Sequence, residues 1–181
     1  MKWVLRILGV LGCLVLAAVV TLAVLSHRSG AGHYDSSIVI RASAEQIWPW
    51  LDEGEKAMKW VSWLVEVRKS GTSATPVGQK EIWVMKDPNM NDQLLAIEGT
   101  CTEYDRPRRL SVRLVSEGFT GDQTYILTPA GNGATKLDVK SSLQFPGWFA
   151  PLMEPLVAPA ARKKMSEDLE RLKREVERSA T

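Results

Sequence analysis

Residues 38–51 read IVIRASAEQIWPWL, and this stretch places a strand directly before a capped helix. The strand, predicted over residues 36–41, is rich in β-branched side chains, which favour extended backbone. Ser43 then stands where a helix N-cap belongs, and Gln46 three residues later completes a capping box. These signals predict a short helix over residues 44–51.

The chain after this opening has the pattern of a sheet. A second short helix is predicted over residues 54–59. From there to residue 145, apolar and polar side chains alternate in about six segments separated by Gly, Pro, Asn and Asp, which predicts antiparallel strands. Residues 129–133, PAGNG, mark one hairpin turn.

A long helix is predicted to close the chain over residues 160–178. Its side chains Met165, Leu169, Leu172 and Val176 are spaced by three or four residues and form one apolar stripe. Three prolines between residues 151 and 159 lack the N–H that a helix uses, so this part is predicted to be irregular. A sheet that curls around the helix buries the stripe, which predicts an α+β fold.

The N-terminal segment is a predicted membrane span. Residues 7–25 carry no charge, and a helix of that length is about 28 Å long, which matches a bilayer core. The positive charges of Lys2 and Arg6 precede the run and outweigh Arg28 beyond it. The positive-inside tendency therefore places the N-terminus in the cytoplasm and the rest of the chain outside.

Two processing alternatives remain for this segment. Cleavage near residues 29–32, SGAG, would make it a removed export signal. A lipoprotein-type cut before Cys13 is disfavoured, because it would leave an apolar stub. The predicted organisation is an anchor over residues 1–28, a linker over 29–33 and one domain over 34–181.

Composition excludes several classes of function. The 181 residues carry 23 Lys and Arg against 21 Asp and Glu, so no electrostatic footprint for nucleic acid is present. Cys101 is the single cysteine of the domain, and both histidines, His27 and His33, lie beside the anchor. No metal-ligand cluster, cofactor motif or catalytic constellation stands out. Acidic pairs such as Glu167 and Asp168 are interpreted as solvated charge on an exposed helical face.

The opening strand and helix resemble the SRPBCC superfamily, which includes START-related and polyketide cyclase-like proteins. The segments GDQTYILTP (121–129), GATKL (133–137) and MSEDLERLK (165–173) are similar to later family motifs, in the right order. The resemblance covers nearly the whole predicted domain. It implies a helix-grip fold, in which a curved antiparallel sheet and a long C-terminal helix enclose a cavity for an apolar ligand.

Seven residues are predicted to line such a cavity. Polar side chains on apolar strand faces need a partner when buried, and a ligand is one such partner. Large aromatic rings commonly line apolar pockets, although they are as often plain core. The predicted ligand-binding residues are Trp63, Trp83, Cys101, Gln123, Tyr125, Ser141 and Trp148.

Three functions compete at this level. The first is a monomeric, membrane-anchored binding protein for a hydrophobic small molecule or lipid, without cofactor or metal. The second is a cyclase- or dehydratase-type enzyme, for which Glu103 and Arg113 are the nearest ionisable candidates. The third is an interaction domain whose cavity is vestigial.

Overall fold

The computed structural model describes residues 2–28, 32–71, 73–88, 93–147 and 149–180. Four helices and seven strands follow one another along these residues. In chain order they are α1 (Lys2–Arg28), β1 (His33–Ile40), α2 (Ala44–Asp52), α3 (Gly54–Trp60), β2 (Leu64–Lys69), β3 (Lys80–Asp87), β4 (Gln93–Asp105), β5 (Arg109–Val115), β6 (Thr120–Gly131), β7 (Ala134–Gln144) and α4 (Phe149–Ser179).

Helix α2 begins as its sequence predicts. The Ser43 hydroxyl accepts a hydrogen bond from the Gln46 backbone N–H at 3.3 Å, and the Gln46 side-chain oxygen accepts one from the Ser43 N–H at 2.9 Å. This capping box satisfies two donors that the first turn would otherwise leave unpaired. It aims Ile47 and Trp48 into the core, where both are fully buried.

The seven strands form one antiparallel sheet in the order β1-β7-β6-β5-β4-β3-β2. Strands β2 to β7 each pair with their neighbour in sequence, and β1 joins at the edge beside β7. Side chains alternate between the two faces, so each strand contributes every second residue to the inner face. The predicted α+β helix-grip fold is confirmed.

Helix α4 packs across the inner face through the predicted stripe. Leu169, Leu172 and Val176 are at most 2 % exposed, and Met165 is half-buried beside them. The helix starts earlier than predicted, at Phe149. Pro151 lies in the first turn, where no backbone N–H has a helical acceptor, whereas Pro155 and Pro159 lie inside the helix, which continues past two residues that lack a donor.

Helix α1 stands outside the domain except near its end. Within the described residues it is the one helix long and apolar enough to cross a membrane, with a mean hydropathy of 2.8 over its apolar window. A signal sequence near an N-terminus has the same properties. Its late residues Leu22 and Ala23 are half-buried, and α1 packs against α4.

Candidate functional site

A cavity of about 640 Å³ lies between the sheet and the two short helices. The inner face of β3, β4 and β5 forms its floor. The end of α2 and the start of α3 form one wall, and the connection between β2 and β3 forms the other. This volume falls within the range of pockets that enclose a drug-sized ligand.

The floor depends on a β-bulge in β4. Cys101 pairs with Val112 on β5, and the register shifts between Cys101 and Glu103. Without this shift Tyr104, three residues after Cys101, would point to the opposite face. The extra residue turns Tyr104 inward, where it pairs with Leu110, and all of these inward-facing side chains line the cavity.

Gly99 deepens the floor because it has no side chain. A Cβ at this position would lie 3.2 Å from Val112 Cγ1 and 3.9 Å from Leu114 Cδ2. A larger side chain would therefore press on β5 or fill the space above it. With Trp83 on the neighbouring strand β3, these residues give the cavity an apolar base.

A fixed aromatic pair supports the wall below α2. The Trp48 indole N–H donates to the Tyr104 hydroxyl at 3.2 Å, and this hydroxyl donates to Asp52 Oδ2 at 2.8 Å. The two rings meet edge to face at 5.2 Å. Burial is the main cause that raises the pKa of Tyr104, so its hydroxyl stays protonated at neutral pH and acts as a structural donor.

The rim of the cavity is mainly acidic. Four carboxylates line it, those of Asp52, Glu53, Glu55 and Glu81, against the ammonium of Lys69 and that of Lys56, which pairs with Glu53 at 3.0 Å. The Glu81 carboxylate also accepts from the Trp83 indole N–H at 3.2 Å. A rim with this balance attracts cations and repels anions. Neutral or cationic ligands therefore fit it better than anionic ones.

Cys101 is a free thiol on the cavity floor. Its Sγ lies 3.6 Å from the Glu103 carbonyl oxygen, and burial is the main cause that raises the pKa of the thiol. A protonated thiol is a poor nucleophile, so Cys101 contributes small apolar surface here.

The structure divides the predicted ligand-binding residues into groups. Trp83 and Cys101 line the cavity. Gln123, Tyr125 and Ser141 also face inward, but they lie on β6 and β7, beyond the residues that line it. Gln123 pairs across the sheet with Ser141 on one side and with Val112 on the other, so the group borders the cavity floor through Val112.

The polar groups of these three residues differ in their hydrogen bonding. The Gln123 amide donates to the Tyr125 hydroxyl, and burial raises the pKa of Tyr125 well above its ordinary value. The Ser141 hydroxyl is buried and has no hydrogen-bond partner within the described part of the chain. A buried hydroxyl in this state is unusual, because an unpaired polar group costs about 1–3 kcal/mol.

The two remaining predicted residues are tryptophans outside this floor. Trp63 lies in the loop after α3 with φ of 70°, and the Lys164 ammonium sits 4.8 Å from its ring centroid. This stacking holds the loop to α4, and Trp63 is not among the residues that line the cavity. Trp148 lies outside the described residues.

The interpretation of Asp168 as solvated charge was wrong. Asp168 is 4 % exposed, and its carboxylate accepts from the Ser62 backbone N–H at 3.0 Å and pairs with the Lys164 ammonium at 2.6 Å. Its neighbour Glu167 is exposed, as predicted. The helical spacing contained a signal for this, since Asp168 lies three residues after Met165 and four before Leu172, on the apolar stripe.

The ionisable candidates for an enzyme lie on the outer face of the sheet. Glu103 pairs with Arg109 at 2.8 Å, and Arg113 pairs with Asp122 at 3.2 Å. Both point away from the cavity because they alternate with its inward-facing residues. Within the described residues, no group of three or more His, Cys, Asp or Glu side chains is arranged to hold a metal ion.

Solved structures share this fold at low sequence identity. A conserved protein from Geobacillus kaustophilus superposes with a TM-score of 0.69 and 16 % identity, covering 82 % of this chain and 97 % of its own. A protein from Thermus thermophilus gives 0.66 and 13 %, covering 82 % and 99 %. A protein from Chromobacterium violaceum gives 0.60 and 18 %, covering 81 % and 97 %.

The family comparison extends over the whole of the folded domain. No curated protein matches the sequence. The profile of the family described as polyketide cyclase / dehydrase and lipid transport matches residues 31–177, from just before β1 to near the end of α4. This chain belongs to that family.

Proposed function

We propose that this chain is a membrane-tethered protein that binds a hydrophobic small molecule or lipid in the cavity beside α2 and α3. The observation that carries the proposal is the open cavity of about 640 Å³, with an apolar floor around Cys101, Val112 and Leu110. Membership in a family described by lipid transport, as well as by cyclase and dehydrase activity, supports a binding role. Helix α1 supplies the tether.

The rim sets an expectation for the ligand. Four carboxylates around the opening disfavour a negatively charged head group. We therefore expect a ligand with an apolar body and a neutral or cationic polar end.

The test uses residues 34–181, after circular dichroism has shown that they fold without α1. N-phenyl-1-naphthylamine, a neutral apolar dye, should bind with an affinity of about 1 μM, or about −8 kcal/mol. Its sulfonated analogue, 8-anilinonaphthalene-1-sulfonate, should bind about tenfold more weakly, because its charge faces the acidic rim. Dye emission and quenching of the tryptophan emission of the domain both report binding.

A matched pair of variants locates the dye. Cys101→Trp projects a ring into the cavity and should abolish binding. Thr100→Trp adds the same ring to the adjacent residue of β4, which faces the opposite side of the sheet, and should leave binding unchanged. Equal binding by both variants would place the dye elsewhere and contradict the proposal.

The enzyme and the vestigial-cavity alternatives give different results in the same system. An enzyme requires turnover of a bound polyketide-like substrate that depends on an ionisable group lining the cavity, such as Glu81. A vestigial cavity predicts that neither dye binds, and that native mass spectrometry of the detergent-extracted protein finds no copurified apolar molecule.

A further inference from the structure

The start of α4 presents an apolar side to the exterior. Leu156 and Val157 are 59 % and 50 % exposed. On the other side of the same turns, Glu154 and Ala158 are each 1 % exposed and pack into the domain. These turns are therefore firmly seated on the protein while their outer side lacks a covering element among the described residues.

The exposed side of α4 changes from uncharged to basic side chains along the helix. Pro159 and Ala160 continue it without charge, and two basic side chains follow, Arg162, whose guanidinium also lies 5.9 Å from the Tyr34 ring centroid, and Lys163. Lys163 makes only a long ion pair, 3.8 Å, with Glu167. Apolar side chains followed by Arg and Lys are the sequence expected where a helix leaves the acyl region and meets lipid phosphates.

The start of α4 lies on the side of the domain where the chain leaves the predicted span, because the Arg162 guanidinium is 5.9 Å from the ring centroid of Tyr34, the second residue of β1. Within residues 2–24, Leu22 and Ala23 are the half-buried side chains of α1, and the helix packs against α4. Both residues belong to the window Lys2–Val24 that is apolar enough to cross a bilayer. The part of α4 that contacts α1 must therefore lie at the edge of the hydrocarbon region.

The short connection between α1 and β1 keeps the domain close to the end of the span. Helix α1 ends at Arg28 and β1 begins at His33. Five Cα–Cα steps reach at most about 17 Å, so the beginning of β1 cannot move far from the end of the span. The Gly32 carbonyl already accepts from the Leu143 N–H at 2.6 Å, which shortens the free part of the connection further.

We propose that the exposed side of the first turns of α4, defined by Leu156, Val157, Pro159 and Ala160, inserts into the lipid interface of the bilayer that holds α1, with Arg162 and Lys163 at the phosphates. This inference rests on the membrane tethering proposed above. It makes the domain dock on the membrane surface in one orientation, where a tether alone would leave its orientation free.

The test uses the full-length chain in nanodiscs that contain one-third anionic lipid. Leu156→Cys and Val157→Cys are each labelled with the fluorophore NBD in a Cys13→Ala, Cys101→Ala background. Met58→Cys in α3, a residue 38 % exposed, provides an aqueous control of similar apolar character. The native Cys13, labelled in a Cys101→Ala chain, provides the control for the span.

Quenching by lipids with a nitroxide near the head group should reduce NBD emission at positions 156 and 157 at least threefold more than at position 58. Aqueous iodide should show the reverse order. Accessibility of 156 and 157 to iodide at the level of position 58 would overturn the inference, as would shielding from both quenchers, since a second copy or a partner protein would then cover the surface.

The control at Cys13 separates this inference from its premise. If Cys13, at the middle of the span, is quenched by lipids with a nitroxide near the end of the acyl chain but positions 156 and 157 are not quenched by the head-group nitroxide, the anchor stands and the docking surface is refuted. If Cys13 itself is not quenched, the tether fails and the inference falls with it. Dye binding to the cavity is measured independently in both cases.

Discussion

Removal of the buried carboxylate of Asp168 should destabilise the corner where the short helices meet α4. Its two oxygens bind different elements: Oδ1 accepts from the Ser62 N–H at 3.0 Å and Oδ2 from the Lys164 ammonium at 2.6 Å. Lys164 in turn stacks on Trp63. One side chain thus joins the loop after α3 to the long helix.

The contacts give the expected magnitude for Asp168→Ala. The Ser62 N–H would lose a charge-assisted acceptor, at a cost of about 1.5–3 kcal/mol. Lys164 keeps 22 % of its side chain exposed, so it can turn toward water, and the full cost of a broken buried pair does not apply. We therefore expect a loss of about 2–4 kcal/mol in the free energy of unfolding.

Two further variants test which part of this loss of stability comes from the buried carboxylate. Asp168→Asn keeps an oxygen for the Ser62 N–H but replaces the acceptor of the Lys164 ammonium with an amide N–H donor, so about 1–2 kcal/mol should be lost. Glu167→Ala removes the adjacent exposed carboxylate and should change stability by less than about 0.5 kcal/mol.

Urea unfolding, followed by tryptophan emission, measures this series. With an m-value of about 2 kcal/mol/M, the midpoint should fall by about 1–2 M for Asp168→Ala. A midpoint equal to that of Glu167→Ala would show that the carboxylate is solvated, and would refute the role given to it here.

Three other predictions test the core, the cavity and the anchor. Leu169→Ala should lower the free energy of unfolding by about 2–5 kcal/mol in the same urea assay, because the residue is 2 % exposed; a loss below about 0.5 kcal/mol would mean that the sheet does not enclose α4. Burial raises the pKa of Cys101, so maleimide should label this thiol more slowly in the folded chain than in urea at about pH 8. The labelling rate of the folded chain should keep rising above about pH 9. Equal labelling rates in the folded chain and in urea would contradict the burial of the Cys101 thiol. The full-length protein should remain in the membrane pellet after a carbonate wash and should have its uncleaved mass. A reporter fused after Thr181 should be active only outside the cytoplasm. A soluble species that begins near residue 31 would identify α1 as a removed signal.

The parts of the fold that depend on neighbours in sequence could be predicted. The capping box of Ser43 and Gln46 and the stripe of α4 both follow from spacings of three and four residues, and both are present. The extent of α4 was harder to predict, since the helix continues through Pro155 and Pro159, whose missing N–H groups argue against helix at the level of sequence. Its first turn tolerates Pro151 because the missing donor would have had no acceptor there.

The cavity depends on features that alternation alone does not reveal. A regular period of two places Tyr104 on the outer face, and only the bulge after Cys101 brings it inward. The second wall comes from the connection between β2 and β3, which the sequence identifies merely as a turn-rich loop. Its position over the sheet is set by long-range packing, so the sequence predicted Trp83 and Cys101 as lining residues but not Asp52 or Glu81.

The topology also determines where the cavity lies relative to the tether. In an antiparallel sheet the start of β1, the end of β7 and the start of β2 lie at one end, and the end of β1 and the end of β2 lie at the other. Helix α1 joins at the first end. Helix α2 and the connection after β2, which form the cavity walls, belong to the second. A domain docked through the start of α4 would therefore hold its cavity on the side away from the bilayer, which favours exchange of the ligand with a soluble donor or acceptor over direct extraction from the lipid below.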